Sequence, residues 1–136
     1  LVIADQVSGT AEGVTGVHFQ LCPCKVEYAK DGTVRTLFGD GNDIRIKTSA
    51  SVPVQIREEE GWVSTAYRKK EERPAYAVEA SKAANQDLLF ITVIAPDTPE
   101  YKGSIAIVPE KGPVSGTLRF AVRVGAKTYN LGYELK

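Results

Sequence analysis

The sequence predicts an all-β domain, an antiparallel two-sheet β-sandwich of about eleven short strands. Three observations predict it. Apolar and polar residues alternate with period two in window after window, the pattern of strands with one wet face. Turn residues punctuate the chain at hairpin spacing. No window keeps an apolar stripe at helical spacing for three turns.

Taken in order, Leu1-Val2-Ile3 reads as a strand already under way, so the chain is expected to be a piece of a longer polypeptide. Val17, Phe19 and Leu21 alternate with His18 and Gln20, so the histidine falls on the polar face of its strand. Val26-Glu27-Tyr28 and Val34-Arg35-Thr36-Leu37 flank Asp31-Gly32, which predicts a type I′ hairpin with positive φ at both central residues. Asp40-Gly41-Asn42 supplies the next reversal. Ile44 and Ile46 then alternate with Asp43, Arg45 and Lys47, and Val52, Val54 and Ile56 with Pro53, Gln55 and Arg57. The alanine-rich stretch from Val78 to Gln86 is the best helix candidate, yet its polar neighbours make it read as a loop. Near the end, Leu118, Phe120, Val122 and Val124 alternate with Arg119, Ala121 and Arg123. Gly125-Ala126 then predicts a type II′ turn into Lys127-Thr128-Tyr129. No repeat and no linker rich in Pro, Gly or Ser divides the 136 residues, so 1–136 reads as one domain.

Two strands break the alternation, Val2-Ile3-Ala4 weakly and Leu88 to Ala95 strongly. In Leu88-Leu89-Phe90-Ile91-Thr92-Val93-Ile94-Ala95, both faces are apolar, so the strand must be covered twice. A two-sheet core covers one face only. The other, carried by Leu89, Ile91 and Val93, reads as a docking face for a loop of this chain or for the rest of a larger protein.

Composition excludes several classes. Seventeen basic and seventeen acidic side chains cancel, so no global field draws in nucleic acid, an anionic membrane or a sulfated glycan. No apolar run approaches the ~20 residues needed to span a bilayer. No glycine-rich turn between strand and helix offers a phosphate cradle, and basic residues do not interleave with aromatics in an RNA-binding pattern.

Candidate chemistry is sparse. His18 is the only histidine, so any Ser-His-Asp or acid-base constellation must use it. Its placement reads first as a partly exposed sheet residue and second as a general acid or base in a composite cleft. Cys22-Pro23-Cys24 lacks the four ligands zinc takes, and an i to i+2 disulfide is strained, so the thiols read as structural; no metal and no cofactor is expected. Glu58-Glu59-Glu60 and Lys69-Lys70-Glu71-Glu72 read as solvated charges at turns. Trp62 reads as core filler first, then as an interdomain contact, then as a platform for a sugar ring, whose C–H face is apolar.

The segment Gly61-Trp62-Val63-Ser64-Thr65-Ala66-Tyr67-Arg68-Lys69-Lys70-Glu71, followed by the Leu88 to Pro96 strand, resembles the C-terminal β-domain of the heparinase II/III-like polysaccharide lyases. Asp5-Gln6-Val7 and Val17-His18-Phe19-Gln20-Leu21 stand where that family has Asp-Arg-Val and a His-Phe or His-Leu strand; Gln6 replaces the usual Arg. The likeness runs over roughly residues 1 to 96 and thins out afterwards. It implies a parent that cleaves a uronic-acid-containing polysaccharide by β-elimination, with the base and its helical toroid upstream of this chain. On that reading the domain is non-catalytic and periplasmic or secreted. Its partners are the toroid and an acidic polysaccharide, and His18, Trp62, Tyr67 and Lys69 are the residues placed to contact glycan or the neighbouring domain. The alternatives are a free-standing carbohydrate-binding module or an interaction domain of unrelated descent, because fold alone does not fix function.

Overall fold

The computed structural model describes residues 1–109 and 117–134. Among these lie thirteen strands: β1 (Val2–Val7), β2 (Gly13–Gln20), β3 (Lys25–Tyr28), β4 (Thr33–Leu37), β5 (Ile44–Ala50), β6 (Val54–Glu59), β7 (Trp62–Val63), β8 (Glu71–Glu72), β9 (Ala75–Lys82), β10 (Leu88–Pro96), β11 (Ile105–Pro109), β12 (Thr117–Val124) and β13 (Lys127–Glu134). A single 3₁₀ turn, Pro99–Tyr101, joins β10 to β11. All strand pairs are antiparallel, so the predicted all-β antiparallel sandwich is present.

The sheets form three layers. The middle one has five strands in the order β1-β10-β5-β4-β3. On one side it packs the sheet β2-β9-β6, bringing Val34, Leu88 and Phe90 against Tyr76, Val78 and Ala80. The Tyr76 ring stacks on Phe19 at 4.9 Å and meets Tyr28 edge-on at 5.9 Å. On the other side lies the sheet β11-β12-β13, where Ile91, Val93 and Ala95 of β10 pack against Ile105, Phe120, Val122 and Val124.

This third layer corrects the docking face expected on β10. Ile91 and Val93 are 5% and 2% exposed, and Leu89 packs on the same cluster, so the face is internal core. The strand does need two covers, and β11, β12 and β13 of the same chain supply the second. Polar atoms on β10 are matched as well: Thr92 and Thr48, directly opposite each other, share a 2.9 Å hydroxyl hydrogen bond inside the core.

A second correction concerns Val78 to Gln86. Its first part belongs to β9, the central strand between β2 and β6, and only the end is a turn. Tyr76, Val78 and Ala80 face the core, while Ala75 and Ala77 lie on the opposite face and are nevertheless buried, Ala77 completely. Alanine gives no strand signal, since its small side chain adds little packing on a pleated surface. Here small size is what the strand needs, because longer side chains from both neighbours close over it. Lys82 ends the strand buried, its ammonium donating to the carbonyls of Gly9, Ala11 and Ala83 and so tying down the β1–β2 loop.

The turns follow their residues with one change. The β3–β4 hairpin forms around Asp31-Gly32, but only Gly32 has positive φ (81°). The Gly32 amide donates to Ala29 at 3.0 Å, giving a type I turn followed by a left-handed glycine instead of type I′. Asp31 secures it by accepting from both the amide and the hydroxyl of Thr33. The two-residue Gly125-Ala126 turn has positive φ at Gly125 alone (57°), as type II′ requires.

Candidate functional site

Outer strand residues of β2, β9 and β6 build the first candidate surface. Ala77 stands opposite both His18 and Arg57, and those two long side chains roof it. His18 Nδ1 lies 2.9 Å from Glu59, Arg57 bridges Glu59 at 2.9 Å and Glu79 at 2.7 Å, and so four charged or polar groups run across three strands. The hydrogen bond with His18 holds the Glu59 carboxyl below its usual range, with Arg57 adding to it, and the hydrogen bond from Arg57 does the same for Glu79. A carboxylate stabilised in this way is a weaker base than a free one, so the histidine–carboxylate pair resembles a structural clasp more than an acid-base couple. Glu59 was expected at a solvated turn; it sits in a strand and is paired. Arg73 reaches Gln20 at the margin of the same face.

Trp62, Tyr67 and Lys69 belong to a different region. Glu59 faces Ala75 and Trp62 faces Glu72, with equal numbers of residues between on each side, so β6–β7 and β8–β9 form one hairpin in a single register. The Arg73 amide donates to Gly61 at 3.0 Å and keeps the ladder intact where the sheet ends. Gly61 is obligatory there: a Cβ would meet the Arg73 carbonyl oxygen at 2.6 Å and the Ala75 methyl at 2.7 Å. β2 stops opposite Ala75, so the paired strands run on as a two-stranded arm, from Glu59 to Val63 roughly 13 Å at ~3.3 Å per residue.

The arm carries its side chains in the open. Trp62 is 41% exposed, which corrects the core assignment for its indole. Its ring N–H donates to Glu60, and the Lys70 ammonium stands 3.8 Å from the ring centroid. Tyr67 is 87% exposed, with Arg68 5.2 Å from its ring, and Lys69 is exposed beside them. The Lys69 amide donates to Ala66, closing a turn in which Arg68 has φ of 61°. A left-handed conformation costs a side-chain-bearing residue about 1–2 kcal/mol, and glycine would occupy it freely. His18 is therefore on the sheet face while Trp62, Tyr67 and Lys69 share the arm; Lys70, which sequence reasoning set aside as a solvated charge, completes the arm through its contact with the indole.

A third feature lies at the opposite side of the molecule. A cleft of about 400 Å³ opens between β1 and the β11-β12-β13 sheet, lined by aliphatic side chains and by Tyr101, Tyr129 and Tyr133. β1 is an edge strand. Leu1 and Ile94 exchange both backbone hydrogen bonds, so two residues on the pattern repeats, and Val2, Ala4 and Gln6 turn their amides and carbonyls outward. Tyr133 meets this free edge by donating to the Val2 carbonyl at 3.5 Å. Cys22 is exposed and Cys24 half-buried, both as free thiols, and burial pushes the Cys24 thiol up.

No family model matches the chain. Among curated proteins it is similar to the heparin-sulfate lyase of Bacteroides stercoris, 27% identical over 98% of this chain and 21% of that protein. It is also similar to the heparin-sulfate lyase of Pedobacter heparinus, 31% identical over 82% of this chain and 17% of that one. Among solved structures, heparinase III superposes with a TM-score of 0.85 at 27% identity, over 98% of this chain and 21% of that chain. Heparan sulfate lyase HepC from Pedobacter heparinus gives 0.82 at 28% identity, over 99% and 22%. The likeness therefore continues past residue 96, where the motifs alone thin out. The chain spans about a fifth of the length of the curated relatives it matches. In sequence and in fold it corresponds to one domain of the heparin-sulfate lyases.

Proposed function

We propose that this chain is the non-catalytic C-terminal β-domain of a longer lyase, secreted or periplasmic, that cleaves an acidic polysaccharide. The carrying observation is the match of 98% of the chain to about a fifth of heparinase III with a TM-score of 0.85. In β-elimination a base removes the proton at C5 of a uronic acid, the C4–O bond breaks, and a C4–C5 double bond forms. The chain's single histidine is half-exposed and clasped by Glu59, which supports placing that base elsewhere in the parent.

Support is exerted through the side bearing the free β1 edge and the tyrosine-lined cleft. An extended segment from the remaining four fifths of the lyase fits it: backbone pairing would satisfy Val2, Ala4 and Gln6, and apolar side chains would fill the cleft. Tyrosine-rich apolar surfaces of this kind are enriched at protein interfaces.

Two measurements test the proposal. The 136-residue chain incubated with heparan sulfate should release no unsaturated uronate, whereas the longer polypeptide that carries it should. Release by the chain alone that disappears in His18→Ala overturns the non-catalytic role. Amide exchange at Val2, Ala4 and Gln6 should be fast in the chain and slow in the longer polypeptide; equal rates overturn the docking side.

A further inference from the structure

We propose that the two-stranded arm, residues 61–73, is a gripping site for an anionic sugar, with Trp62 and Tyr67 as stacking surfaces and Lys70, Arg68 and Lys69 as the charges that meet carboxylate or sulfate groups. The choice of ligand class rests on the lyase-domain reading; the site itself rests on geometry.

Four observations converge on it. The arm leaves the sheet in unbroken register as far as Val63 and Glu71, and the connecting residues 64–70 beyond it, which carry Tyr67, Arg68, Lys69 and Lys70, are closed by the turn from Ala66 to Lys69. Its two aromatic rings stay exposed although the core has absorbed the apolar side chains of β6 and β9 in the same hairpin: Tyr76 and Val78 are buried, and Val54 and Ile56 pack with them. Each ring carries its own cation, Lys70 on the indole and Arg68 on the phenol. Arg68 also holds a left-handed backbone conformation that costs stability and places its guanidinium at the tip.

The chemistry suits a charged pyranose. The apolar C–H face of the sugar lies on the ring face that the cation does not cover, and the cation over the other face meets an acidic substituent on the sugar's rim. Acidic residues limit the contact. Glu60 is committed to the indole N–H, Glu72 stands directly across the ribbon from Trp62, and Glu71 stands across from Val63. They repel an anionic chain lying along the ribbon, so the grip reaches from Tyr67 and Arg68 only as far as Lys70 and Trp62, and it is weak and sensitive to salt.

Trp62 is the only tryptophan in the chain, which makes its emission a local reporter. The experiment is a titration of the 136-residue protein with heparan sulfate tetrasaccharide, with a neutral glucan tetrasaccharide as control. The expected result is a saturable change in Trp62 emission with the anionic sugar only, weakened at least about threefold when salt is raised to about 0.3 M. Lys70→Ala and Tyr67→Ala should each lower affinity about two- to fivefold. Arg68→Gly should lower affinity while raising the unfolding temperature, a pairing that a purely structural role for Arg68 would not give. Absence of any emission change up to about 10 mM sugar, equal binding of the neutral sugar, or wild-type affinity in both alanine variants overturns the proposal. These readouts are independent of uronate release by the longer polypeptide, so failure of the arm site and failure of the lyase reading are separately visible.

Discussion

β10 and β9 are both central strands, both buried on two faces, and they reach that state by opposite means. β10 is apolar on both faces and sits between two sheets, so Phe90 packs toward Ala80 and Val93 toward Phe120 and its neighbours. β9 presents Tyr76 and Val78 to the core, but its other face is Ala75, Ala77 and Glu79, roofed by His18, Arg57 and Glu59 of the flanking strands. Burial on β10 is therefore a hydrophobic effect of roughly 25 cal/mol per Å² of apolar surface, with no titrating group and no charge for salt to screen. Burial on β9 is a steric consequence of a charge lattice whose carboxylates titrate. Near-complete burial of both Val93 and Ala77 conceals two kinds of dependence on conditions.

Breaking the β10 side should have the largest effect. Val93→Lys places an unpaired ammonium between the middle sheet and β11-β12-β13 and should cost about 3–5 kcal/mol, read as a lowered midpoint in urea unfolding. An unchanged midpoint would mean that the third layer does not close on β10.

Ala77→Leu probes the β9 side and should cost less, about 1–3 kcal/mol, because the added atoms push Arg57 and His18 outward instead of breaking the core. The chemical shift of His18 should move in the same variant. A stabilised protein with His18 unmoved would show that the roof is open enough to accept the side chain.

The smallest effect is the one that separates the two strands most cleanly. Glu59 and Glu79 have carboxyls held below the ordinary 4.5 by His18 and Arg57. A depressed carboxylate contributes stability that is fully present above its ordinary value and is lost as pH falls through its lower folded value. Acidification from about pH 7 to about pH 3 should therefore weaken the wild type more than Glu59→Gln/Glu79→Gln, with the difference appearing only below 4.5. Identical pH profiles would remove the charge lattice as a stabilising element.

Most of the strands were legible because they carry their own signal. Ile44 and Ile46, Leu118 to Val124 and the two-faced Leu88 strand state their periodicity outright, and the reversals at Asp31-Gly32 and Gly125-Ala126 name their turn residues. The arm was legible only in part. Trp62, Tyr67 and Lys69 were singled out, but the continuous register that joins two strand fragments across Glu60-Gly61 and Arg73-Pro74 depends on pairing, which local composition does not encode. Lys70 on the indole and Lys82 under three carbonyls were missed for the same reason: a lysine in a polar stretch looks solvated until the chain that surrounds it is placed.

By itself, then, the sequence determined the all-β class, the antiparallel hairpins, the need of β10 for two covers and the kinship of the Gly61 to Glu71 segment with the lyases, because each follows from residue types at short spacing. Tertiary structure alone decided which element covers β10, that an alanine-rich stretch is a central strand, and that the outer face of β2-β9-β6 is a charge lattice. It also decided that the aromatic arm stands free of the core. All four depend on contacts between residues tens of positions apart, such as His18 with Glu59 and Val93 with Phe120, where the deciding quantity is the space left by a distant partner.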